Sequence, residues 1–159
     1  MTLKRKVHAI AAAATVVLLA TFWSSTLISE LFLSSVAVTA VKQGIAYGVL
    51  ALVLAMAATG ATGFSMGGKG KLPLLAAKRK RMPFIAINGL VILIPSALFL
   101  ASRATAGVFD ARFYAVQVLE LLVGGINLTL IGLNVRDGLR LSSRRRQAMK
   151  PNAQIPREI

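Results

Sequence analysis

Phe113–Val135 reads FYAVQVLELLVGGINLTLIGLNV, and this stretch decides the fold. A single charge, Glu120, interrupts a run long enough to cross a bilayer as a helix, which takes roughly 20 apolar residues. Its polar residues are ordered. Gln117, Glu120, Gly124, Asn127, Ile131 and Asn134 follow one another at steps of three and four. Those steps put them on one stripe of a helix. From Gln117 to Asn134 the stripe covers about 25 Å at 1.5 Å per residue. A carboxyl and three amides cannot face hydrocarbon cheaply, because an unsatisfied polar group there costs several kcal/mol. The stripe is therefore expected to face other helices or a cavity.

Three more segments read the same way. They are Val7–Ile28, Gly44–Phe64 and Pro83–Ala101, none with a charge inside. The expected fold is an all-α integral membrane protein, a four-transmembrane-helix antiparallel bundle. It occupies 1–147 as one domain, with spans near 7–28, 44–64, 83–101 and 113–135, the last running on to about 147. Residues 148–159 are expected to form a flexible basic tail. The apolar run of the first segment is longer than that of a cleaved signal peptide, and no A-x-A-like site follows it cleanly, so a retained helix is expected. Interval 31–43 is too short to span. It reads as an interfacial segment or as an early start of helix two, and the latter is favoured.

Composition agrees. Of 159 residues 56% are hydrophobic and 15% charged, and mean hydropathy is +0.71. A soluble domain carries about 25% charged residues. No cysteine is present, which excludes thiolate metal sites and cysteine nucleophiles. The formal net charge of +14 is resolved by position. All but Lys42, Arg103 and Arg112 of the 19 basic residues precede helix one, join helices two and three, or follow helix four. Short loops rich in Lys and Arg stay in the cytoplasm. Both termini and the middle loop are thus expected on the cytoplasmic side of a bacterial-type inner membrane. Aromatics including Trp23, Tyr47 and Tyr114 are expected near the outer boundary, and Phe64 and Phe84 near the inner one.

Lys78, Arg79, Lys80, Arg81, Arg144, Arg145 and Arg146 flank membrane segments, where such clusters attract anionic lipid heads. Nucleic acid is not an expected partner, since no aromatics interleave with these runs. Gly63 to Gly70 resembles a phosphate loop in spacing, but Gly70 stands where Ser or Thr is required and no strand precedes it.

Glu120 is the one carboxyl expected within a span. No basic residue is expected within the spans to neutralise it. It is either a proton or ion site or, with Gln117, Asn127 and Asn134, interhelical glue. Asn88 in helix three is expected to bond Asn127 or Asn134 at similar depth. Gly44, Gly48, Ala51, Ala55, Thr59, Gly63 and Gly124 are small residues suited to close helix packing. Pro95 is expected to kink helix three. No metal site is expected and no cofactor is predicted; His8, with Met56 or Met82, is the conceivable haem ligand set. No catalytic constellation is legible.

The leading functional expectation is a non-enzymatic membrane protein acting by association, as accessory subunit or scaffold. It would work through a membrane-protein partner or a homo-oligomer. The alternative is a small proton- or ion-coupled transporter or channel centred on Glu120. A haem or quinone redox module is the third reading.

Overall fold

The computed structural model describes residues 2–67 and 73–148. The expected tail beyond 148, and Lys69, Gly70 and Lys71 in the middle loop, lie outside the described residues. The side chains of Lys78, Arg79, Arg144, Arg145 and Arg146 do too.

Among the described residues five helices follow in order: α1 (Leu3–Phe32), α2 (Ser35–Gly67), α3 (Pro73–Ile87), α4 (Ile94–Thr105) and α5 (Ala111–Ala148). A π-helical turn, Asn88–Leu93, joins α3 to α4 without a break. Among the described residues four stretches are long and apolar enough to cross a membrane: Leu3–Phe32, Ser35–Met66, Lys80–Thr105 and Ala111–Ser143. All four outrun the spans read from hydropathy. Hydropathy makes each charge a boundary, whereas a charge with a buried partner can sit inside a helix.

Local chemistry explains the joints. α1 ends at Leu33, whose backbone is extended, and Ser34 Oγ accepts the Ala37 N–H at 3.4 Å to open α2. Interval 31–43 is therefore the end of α1, a two-residue turn, and an early start of α2. Gly107, at φ +69°, closes α4. The N–H of Val108 bonds Arg103 O, and that of Gly107 bonds Ala104 O. This pair of hydrogen bonds past a left-handed glycine satisfies two carbonyls that the helix end would leave free. Asp110 Oδ1 then accepts the Phe113 N–H at 3.0 Å and starts α5. Pro95 acts upstream of itself. Having no N–H, it cannot bond the Val91 carbonyl, and the register widens just before it: Ile94 N–H reaches back to Gly89 O.

The chain runs up, down, up and down. α1 packs against α2 and α5, α2 also against α4, and α3 also against α5. One apolar cluster centres on Leu19, Leu52, Ile85 and Ile131. Another, at the end where α1 turns into α2, holds Val38, Leu100, Ala104 and Phe113. The exterior is apolar: Ile10, Leu50, Val91 and Leu122 are largely exposed. The interior buries Thr15, Thr26, Ser29, Lys42, Gln117, Asn127, Asn134 and Asp137. Polar groups inside and apolar groups outside suit a bilayer, where hydrogen bonds must be made internally.

Candidate functional site

Lys42 lies on α2, wholly buried, with Nζ 2.7 Å from Glu120 Oε2 on α5. This corrects two expectations. Lys42 is inside the bundle and not on an outer loop, and Glu120 has a basic neighbour after all. The early start of α2 carries Lys42 inward, where the carboxylate offsets the desolvation of its ammonium. Lys42 Nζ also donates to Thr26 Oγ1 at 3.5 Å. Gln117 Nε2 donates to Glu120 Oε2 at 3.5 Å.

Glu30 belongs to the same group. It sits in α1, within electrostatic reach of both Lys42 and Glu120. Glu120 is therefore not the single carboxyl within the helices. Sequence reasoning missed Glu30 because it stands near the end of an apolar run. A signal was present: Thr15, Leu19, Phe22, Thr26 and Ser29 recur at steps of four and three, and that stripe leads to Glu30. Two buried oxygens, Glu30 Oε1 and Gln117 Oε1, have no hydrogen-bond partner among the described residues.

The lower half of the α5 stripe is tied by direct bonds. Asn88 Nδ2 donates to Asn127 Oδ1 at 3.3 Å, and Asn127 Nδ2 donates to Ile85 O at 3.3 Å. Asn134 Nδ2 reaches Met82 Sδ at 3.6 Å, and its Oδ1 meets Arg81 Nη1 at 3.5 Å. Arg81 pairs with buried Asp137, Nη1 to Oδ2 at 2.7 Å. The two buried ion pairs, at Glu120 and Asp137, stand about 25 Å apart along α5 at 1.5 Å per residue.

A cavity of about 720 Å³ lies between them. Glu120, Thr26 and Asn127 contribute its polar atoms, and Leu52, Met56 and Leu93 typify its apolar walls. Exposed Phe64 and Leu90 also line it, so it opens through the side of the bundle between α2 and α3. Trp23 donates Nε1–H to Leu121 O at 2.9 Å and lines the cavity.

The small residues divide. A Cβ on Gly48 would meet the Phe22 ring, one on Gly63 the His8 ring, and one on Gly124 the Trp23 indole. Gly44 and Ala51 face outward, while Ala55 and Thr59 are half-buried. His8 Nδ1 is 2.9 Å from Thr62 Oγ1. Among the described residues, no three His, Cys, Asp or Glu side chains are grouped to hold a metal ion. Lys80 is exposed and Arg81 turns into the bundle.

No family model, no curated protein and no solved structure matches this chain.

Proposed function

We propose that the chain is a small multi-pass membrane carrier that couples a lipid-soluble ligand to one proton. The proton is held among Glu30, Lys42 and Glu120. The observation that carries this reading is a count of charge at this site, where Lys42 is buried and Glu30 and Glu120 are partly buried. Two carboxyls face one ammonium, so the fully ionised set sums to one negative charge. An unbalanced charge is costly in such surroundings, and a proton completes the set. Ionisable residues inside a membrane bundle are rare and mark proton relays and transport paths. The apolar cavity walls suit a ligand better than a column of water, which disfavours the ion-channel form of the transport reading.

The positions of the basic residues support a bacterial-type inner membrane with both termini cytoplasmic. Each Lys or Arg of the flanking clusters then adds about 1 kcal/mol of attraction to anionic lipid heads.

Infrared titration of the purified protein in detergent tests the proton site. A carboxylic-acid C=O band from this group should appear as pH is lowered and be missing in Glu120→Gln and in Glu30→Gln. Wild-type protein without such a band would sink the reading.

A role by association, as subunit or scaffold, draws support from Gly44 and Ala51 facing outward on α2. Mild-detergent purification tests it: a monomer with no co-purifying partner counts against it. For the redox reading, an absorption spectrum without a Soret band excludes haem.

A further inference from the structure

The carrier reading leaves the ligand's class open, and the cavity narrows it. We infer that the ligand is a lipophilic cation: an apolar, preferably aromatic body bearing one positive charge, bound in exchange for the proton. This inference rests on the carrier reading.

Size comes first. At about 720 Å³ the cavity falls in the range that holds drug-sized molecules, roughly 300–1,000 Å³. Its walls are aliphatic and aromatic, with Phe22, Trp23 and Phe64 among them. Aromatic faces attract cations, more so where water is excluded. A small hydrated cation would have to shed its water against apolar walls, with few oxygens to replace it.

Charge comes second. Glu120 is the one titratable side chain lining the cavity among the described residues. The groups facing it can be named by element. α1 contributes Glu30 and Thr26, α2 contributes Lys42, and α5 itself contributes Gln117. The π turn and α4 line the cavity with Gly89, Leu93 and Ala97, which carry no charge. An anion would meet two carboxyls against one ammonium. A neutral molecule would leave the negative charge unbalanced. A cation at the Glu120 end balances it while Lys42 keeps a carboxylate partner.

Glu30 Oε1, in the same charged group, is buried with no hydrogen-bond partner among the described residues. Proton and cation thus compete for one charge, and binding either one disfavours the other. No covalent step is involved. One proton leaves to bulk solvent as one cation enters.

Tetraphenylphosphonium is the probe, and tetraphenylborate, of the same shape and opposite charge, is its control. Calorimetry on the full chain in detergent, repeated in buffers of different ionisation enthalpy, reads both binding and proton release. Expected are binding of the phosphonium, release of about one proton per cation, weaker binding at lower pH, and no binding of the borate. Glu120→Gln should weaken phosphonium binding about tenfold or more, and Glu120→Asp should retain part of it. Gly60→Leu, which fills open space beside the cavity, should block binding without a change of charge. That keeps the test alive if Glu120→Gln does not fold. Phosphonium binding that is absent, equal in Gly60→Leu, or matched by the borate overturns the inference. The infrared band is read without ligand. A titrating band with no phosphonium binding therefore rejects the cation and leaves the proton site standing.

Discussion

Asn88 on the π turn donates its side-chain N–H to Asn127 on α5 at 3.3 Å, and so pins the irregular part of the third span to the fourth. Asn127 is almost fully buried and uses its own N–H on Ile85 O. Replacing it with Ala removes both bonds and strands two groups. We expect Asn127→Ala to cost about 1–3 kcal/mol, read from unfolding in detergent. The Asn88–Asn127 coupling in a double-mutant cycle should lie near 0.6 kcal/mol and not above about 1.7 kcal/mol. A coupling of zero would remove the bond from any account of stability.

Lys42 should be the most sensitive single position. Lys42→Met leaves carboxylates buried without their counter-charge, a change that costs about 3–5 kcal/mol in buried pairs. Lys42→Met combined with Glu120→Gln should be more stable than Lys42→Met alone. Thermal unfolding of the three proteins checks this, and a double variant weaker than the single one contradicts it.

The Asp110 carboxyl outside the spans is held below the usual carboxylate range. The Phe113 N–H is the main cause and the Arg103 guanidinium, ion-paired with it, the next. A carboxyl whose folded value is depressed stabilises the fold above its ordinary value, 3.8. That contribution is lost as pH falls through the lower folded value. The gap in melting temperature between wild type and Asp110→Asn should therefore be present at neutral pH and shrink in acid. A gap that widens in acid has the wrong sign.

Two glycines four residues apart on α2 should respond oppositely. A Cβ on Gly48 would sit 2.5 Å from Phe22 Cζ, whereas one on Gly44 meets nothing within 4 Å. Gly48→Leu should destabilise by about 1–3 kcal/mol through overpacking. Gly44→Ala should stabilise by up to about 1 kcal/mol through helix propensity. Melting curves of both variants decide the matter.

Much of this was legible in the residues. The long apolar runs predicted four antiparallel spans, and helical spacing put Gln117, Glu120, Asn127 and Asn134 on one stripe. Opposite chain directions predicted Asn88 beside Asn127. The charged triad was legible only at Glu120 and in the stripe that leads to Glu30, because hydropathy counts a lysine or glutamate near the end of an apolar run as an exit from the membrane. Only pairing across helices makes such a residue interior, and pairing is a property of three elements together. Arg81 misled in the same way. It belongs to a basic cluster by sequence, yet it turns inward because Asp137 faces it across the α3–α5 contact. The apolar run of the third span opens at Pro83, yet Pro83 lies inside α3, which begins at Pro73.

The spacing of the two ion pairs has a further consequence. For a chain set in a bilayer they act as fixed gauge marks. Their separation of about 25 Å falls short of a typical hydrocarbon thickness of about 30 Å. A thick, sterol-rich membrane would draw one pair into oil or force the bundle to tilt, at a cost that rises with each ångström of mismatch. A thin membrane would seat both pairs at its faces. Set in a bilayer with a pair at each face, the distance from Glu120 to Asp137 would favour the thinner of two membranes.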